Sequence, residues 1–286
     1  MLNTMNEQQL RALVSLLEDD DREVLELVET EIRQQGKNII PFLENEWEGA
    51  GLSTSVQRKI EELIHELQLK LMLERLTDWH NGGGLDLLEG LWIVATYQYP
   101  DLSLAKLRAD LEQIYYETWL EFKADMHPID QVRALNNVFY NKLKFGSNTK
   151  NFHSANNSMI NVVLETRRGN PISLCCIYML VAQKLNMPVY GVNLPNLFVL
   201  TYKQEEAQFY VNAFNRGLVF MRSDIDHYIA QLNLKNNDTF YQPCTTLDIM
   251  KRVLRNLTMA FEKTGDSDKV KEIEQMAAIL NEPLVS

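Results

Sequence analysis

The apolar periodicity of this chain changes at Pro188. Ahead of it, hydrophobic residues recur at three-and-four spacing over long stretches. Behind it, Val189 to Val192, Leu197 to Tyr202, Gln208 to Val211 and Leu218 to Met221 are short runs rich in β-branched and aromatic residues. The first pattern lays an apolar stripe along a helix; the second suits strands, whose successive side chains point to opposite faces. Helices followed by adjacent short strands predict an α+β fold with a small antiparallel sheet, in which Lys203 to Ala207 is a polar turn. Helical spacing returns at Thr246 to Lys263 and Ser267 to Leu280, joined at Gly265-Asp266, and predicts a helical C-terminal tail.

Residues 7 to about 130 read as helix after helix. Leu10, Leu13, Val14, Leu16 and Leu17 form one stripe, and Val24, Leu25, Leu27, Val28 and Ile32 another. Asp19 to Asp21, between them, supply an N-cap and negative charge at the second helix's positive end. Gly36 ends that helix, Pro41 opens a short one, and Ser53 or Ser55 caps a long segment to Trp79. Two helical hairpins of similar length, 7–36 and 41–80, suggest HEAT-like pairs by analogy. Leu85 to Tyr99 is apolar on most sides, which predicts a buried helix. The expected domains are 1–80, helical; 81–240, a core with the helices that precede it; and 241–286, a C-terminal helical hairpin.

With 286 residues the chain can bury a core that needs neither disulfide nor metal. Three cysteines, two of them adjacent, make no disulfide framework and fit a reducing, cytoplasmic setting. A net charge of −11 opposes nucleic-acid and anionic-membrane binding. No run of eighteen apolar residues and no basic region ahead of an apolar core occur, so neither a transmembrane helix nor a secretory signal is expected. Gly82 to Gly84 is not followed by a Lys-Ser or Lys-Thr pair and reads as a loop. The histidines, His65, His80, His127, His153 and His227, show no metal-ligand spacing, and no metal or cofactor is expected.

The segment from Arg167 to Tyr202 carries the chemistry in question. Asn170-Pro171 is a helix start: asparagine caps free amides, and proline at the first helical position gives up no hydrogen bond. A nucleophile in that first turn would feel the helix's positive end, but the residues there are Pro171, Ile172 and Ser173. Cys175 and Cys176 lie further in, among residues so apolar that most faces of the helix must be covered. Such cysteines behave as small buried hydrophobes. A nucleophile also needs a base and an orienting partner, and no histidine lies in the strands that follow.

Residues 131 to 221 resemble the bacterial transglutaminase-like family of the SirB type. The likeness rests on Asn157, Ser158 and Asn161 (NSMIN), Arg167 to Leu174 (RRGNPISL against RRGxPISL), Gly191 to Phe198 (GVNLPNLF against GVNxPGHF) and Asn212 to Gly217 (NAFNRG against DxFxxG). It implies a mostly helical N-terminal region packed on a transglutaminase-like (papain-like) core, with a tetratricopeptide-like tail. Carried over residue by residue, the family's histidine falls on Leu197 and its acidic residue on Asn212. The transglutaminase cysteine column falls within Pro171 to Ser173. Leucine cannot accept a proton, and a triad lacking its base loses its chemistry. Arg167 and Arg168 are retained; they bind a carboxylate or phosphate, or they serve structure by holding loop carbonyls.

Three functions compete. One is a catalytically inactive transglutaminase-like core that acts as a protein-interaction or regulatory module, with Arg167, Arg168, Ser173 and Asn212 as candidate ligand-binding residues. The second is a cysteine or serine hydrolase or acyltransferase with a displaced site: Ser173 or Cys175 as nucleophile, His153 or His227 as base, Asn212 as orienter. The third is an assembly subunit whose acidic helical face docks on a basic protein partner, anchored by Trp47 or Trp79.

Overall fold

A computed structural model describes residues 5–49, 51–123, 125–205 and 207–281. Residues 1–4, part of the stretch read for a leader, and Glu206 of the expected turn lie outside the described residues. The chain divides into two compact units, Met1–Arg75 and Leu76–Ser286.

The first unit holds α1 (Glu7–Ser15), α2 (Arg22–Gln35), α3 (Ile40–Glu48) and most of α4 (Thr54–Asn81). Asn6 and Gln9 form a capping box at α1, and Asp21 caps α2 through the amide of Glu23. Gly36 takes φ +62, a conformation that frees the chain to turn before α3. The apolar stripes meet in one cluster that includes Leu17, Ile32, Leu43 and Ile60, all fully buried. Trp47 stays exposed.

The second unit begins with α5 (Leu87–Ala95), α6 (Leu104–Trp119) and α7 (Pro128–Asn136). α7 continues into a π-helical turn, Asn137–Lys142. That turn is anchored by Phe139 stacked on Phe145 and by the Tyr140 hydroxyl, which donates to the Ala213 carbonyl at 2.9 Å. Next come β1 (Gly146–Ser147), α8 (Ile160–Thr166), β2 (Arg168–Gly169) and α9 (Pro171–Lys184). β3 (Val189–Leu194), β4 (Leu197–Gln204), β5 (Ala207–Asn212) and β6 (Leu218–Phe220) follow, then α10 (Arg222–Gln231), α11 (Thr246–Thr264) and α12 (Ser267–Asn281).

β1 and β2 are a short parallel pair. β3 to β6 form an antiparallel meander in sequence order, with Val192 opposite Val199, Thr201 opposite Tyr210 and Val211 opposite Val219. The α+β expectation holds, and each expected strand is present. β3 runs on to Leu194, which is buried, and β4 runs on to Gln204, where ladder pairing continues after the burial pattern stops. Among the described residues no helix is long and apolar enough to cross a membrane.

α9 is the centre of this unit. Ten of its fourteen residues are buried, and only its last turn, Gln183 and Lys184, is exposed: β3 and β4 cover one side and α6, α8 and α11 pack around the rest. Its polar groups are matched from outside. The Tyr178 hydroxyl donates to Asn136 Oδ1 at 3.0 Å, and Asn136 Nδ2 donates to the Gly217 carbonyl at 2.9 Å. Trp79 is buried rather than exposed, its indole N–H donating to the Asp86 carbonyl at 2.9 Å and its ring lying against Gly84 and Gly90.

Gly217 is where this packing tolerates least. Its φ is +71, and a Cβ there would lie 2.0 Å from Asn136 Oδ1, displacing the carboxamide that joins α7, α9 and the β5–β6 turn. Gly217→Ala is expected to cost about 2–3 kcal/mol in urea unfolding, with an unchanged denaturant slope.

Candidate functional site

The amino end of α9 is built from polar side chains that satisfy one another. Asn170 Oδ1 accepts from the Ser173 amide at 3.0 Å, and Ser173 Oγ accepts from the Asn170 amide at 3.1 Å, a reciprocal capping box. The remaining Asn170 donor, Nδ2, reaches Ser158 Oγ at 2.9 Å. Asn170, Ser173 and Ser158 are all buried. Gly169 has no room for a side chain, because a Cβ would meet Ser173 Oγ at 2.5 Å and Val163 Cγ1 at 2.9 Å.

The NSMIN residues fasten the neighbouring loop. Buried Asn157 donates through Nδ2 to the carbonyls of Asn151 (2.7 Å) and Phe152 (3.0 Å) and accepts from Asn148 Nδ2 at 2.8 Å. This fixes the segment that presents His153. The NAFNRG residues make a second fixed turn: Asn212 Oδ1 accepts from the Asn215 amide at 3.0 Å, and the Gly217 amide donates to the Asn212 carbonyl at 2.9 Å. Phe214 of that turn packs edge-on against Phe152.

The two arginines have structural surroundings. Arg168, exposed, donates to the carbonyls of Lys144 and Arg167. Arg167 caps α8 in the left-handed region, φ +59, with its guanidinium 4.7 Å above the Phe145 ring. Burial lowers its pKa, and the charge of Asp110 opposes that shift.

Both cysteines of α9 are fully buried. Cys175 Sγ donates to the Phe198 carbonyl at 3.6 Å. Burial pushes both thiols well above the ordinary range; for Cys175 the backbone at Ala213 opposes the shift, and for Cys176 the neighbouring Cys175 adds to it. Cys244, half-buried, is raised to about 12, first by burial and next by Asp248.

Leu197 begins β4 and belongs to an apolar cluster with Val192, Val199, Ile225 and Tyr228, formed by the sheet and α10. Its neighbour Phe198 points to the other face, where the sheet meets α9. Leu197 therefore does not plug the space in front of α9. A cleft of about 400 Å³ remains there. Asn170, Pro171 and Ile172 line it from α9, His153 and Ser158 from the loop, Asn196 and Phe198 from β4 and the turn before it. Its far wall is α11, with Arg252, Arg255, Asn256 and Met259.

Of the residues expected to bind a ligand, Arg167, Arg168, Ser173 and Asn212, none lines this cleft. The α11 residues went unnoticed in the sequence. The available signal was two arginines three apart, on the opposite side of the helix from Ile249, Val253 and Leu257. His153 reaches the cleft; His127 caps α7, and His65, His80 and His227 lie elsewhere. Among the described residues neither His153 nor His227 hydrogen-bonds Ser173 or Cys175, and no group of three or more His, Cys, Asp and Glu could hold a metal ion.

Residues 105–255 match the sequence family described as the transglutaminase-like superfamily. The chain is 28% identical over 202 residues to a UPF0162 protein of Xylella fastidiosa, covering 65% of this chain and 68% of that protein. It is 35% identical over 96 residues to a UPF0162 protein of Pasteurella multocida, 34% of each chain. It is also 29% identical over 140 residues to F-box only protein 21 of Mus musculus, covering 46% of this chain and 22% of that one. No solved structure matches.

Burial of the α9 thiols has a direct chemical readout. Under native conditions at pH 8, a disulfide reagent is expected to titrate at most Cys244, and all three cysteines only after denaturation. The raised thiols also fix a sign. Below about pH 8.5 they are protonated in both states; above it the unfolded chain releases protons that the folded chain keeps, so stability is expected to fall with rising pH. Urea midpoints between pH 7 and 10 check this.

Proposed function

Because the chain belongs to the transglutaminase-like superfamily, we propose that it uses that core without covalent chemistry, as a binding module for a protein partner or regulatory ligand. The observation that supports this reading is Leu197. The position that answers to the family's base carries a hydrocarbon, and its side chain packs on the sheet face turned away from α9. With no base there, Asn212 has nothing to orient, and its carboxamide oxygen caps its own turn. Ser173 uses its hydroxyl in the capping box. The helical N-terminal unit, with exposed Trp47, offers a surface for a protein partner.

One observation favours a second reading, a hydrolase or acyltransferase with a displaced site: His153 lines the cleft beside Asn170 and Pro171. Purified protein separates the two. Hydroxamate formation from a glutaminyl peptide and hydrolysis of an activated ester are expected to stay at buffer background, unchanged by Cys175→Ser or His153→Ala. Turnover that either substitution abolishes would overturn the binding-module reading.

A further inference from the structure

The cleft between α9 and α11 has an unusual charge for this chain. Acidic residues number 39 against 28 Lys and Arg, yet none lines the cleft. Arg252 and Arg255 both face it. Several arginines elsewhere have carboxylate partners: Arg11 with Glu7, Arg22 with Glu26, Arg33 with Glu29 and Glu66, Arg133 with Asp130. Arg252 instead donates to neutral groups, Asn193 Oδ1 at 2.9 Å and the Leu194 carbonyl at 3.3 Å, and Arg255 has no ion pair or hydrogen bond among the described residues. Burial first and then the neighbouring Arg255 charge lower the Arg252 pKa, and Tyr228 opposes that shift.

Other groups in the cleft suit the same ligand. His153 and Asn256 add hydrogen-bonding side chains, and the positive end of α9 opens onto the cleft through Pro171 and Ile172. An apolar part of the wall is formed by Phe152, Phe198 and Met259, of which Phe152 and Met259 are exposed, beside the polar Ser154, Ser158 and Asn196. A volume of about 400 Å³ is that of a small-molecule site.

We propose that this cleft binds an oxyanion, a carboxylate or a phosphate ester, joined to a compact apolar body, with Arg252 and Arg255 holding the anion and Phe198 and Met259 the body. Arg252 is fixed in place by Asn193, so its guanidinium is oriented before the ligand arrives. The guanidinium fork suits either oxyanion. The inference rests on the binding-module reading only in treating this ligand as bound rather than consumed.

Calorimetric titration of the full chain with phenylphosphate and with 3-phenylpropionate, and with inorganic phosphate for comparison, tests it. Saturable binding of at least one aromatic anion is expected, weaker for inorganic phosphate, and whichever binds more tightly identifies the head group. Arg255→Gln, at an exposed residue that holds nothing else in place, is expected to weaken binding about tenfold or more, and Arg255→Lys to restore most of it. Absence of saturable binding by both aromatic anions, or equal affinity in Arg255→Gln, overturns the site. Phenol release followed in the same samples keeps the two readings apart. Turnover with Arg255-dependent binding would contradict the binding module and leave the anion site standing, whereas no binding and no turnover would remove the anion site alone.

Discussion

The hydrogen-bonded knot at the start of α9 sets the rest of the core. Asn170 caps the helix through its Oδ1 and the Ser173 amide, ties it to the α8 side through Nδ2 and Ser158, and gives its own backbone amide to Ser173 Oγ. Burying a carboxamide is costly unless it is fully matched, and here the match uses the hydroxyl that a first-turn nucleophile would have needed free. A helix start can be sealed into a core or offered to a substrate. In this chain the side chains seal it, and only the Asn170–Ile172 edge reaches a cleft.

From that knot the packing follows outward. α9 is covered around all but its last turn, so its cysteines serve as small apolar residues and their thiols are held protonated. The polar residues that the sheet and loops present to this region, Asn136, Asn157 and Asn212, are spent on backbone carbonyls and amides. Asn157 and Asn212 are residues of the family-like motifs, and in this structure each fixes a turn. The charge that faces the cleft lies on α11, in Arg252 and Arg255, neither of which has a carboxylate partner among the described residues.

Much of this was legible in the sequence, for local reasons. The Asn170-Pro171 start, the burial of Cys175 and Cys176 and the four strands all follow from capping chemistry and periodicity within short windows. The alternation along β4 also held the side-chain direction: Leu197 is in phase with Val199, and Phe198 with Leu200. What the sequence did not show was which surfaces the fold brings together. Arg252 and Arg255 belong to a helix far along the chain, and only tertiary packing sets them opposite α9. Likewise, nothing local says that the Arg167 guanidinium lies over the Phe145 ring, a neighbour that only the fold brings to it.

The central claim is that no base serves the amino end of α9. The most direct measurement places a thiol there, Ser173→Cys, and follows its alkylation rate against pH in the presence and absence of His153. The account predicts the same apparent thiol pKa with His153 and with His153→Ala. A pKa that rises by about one unit or more when the imidazole is removed would reveal a thiolate–imidazolium pair and contradict it.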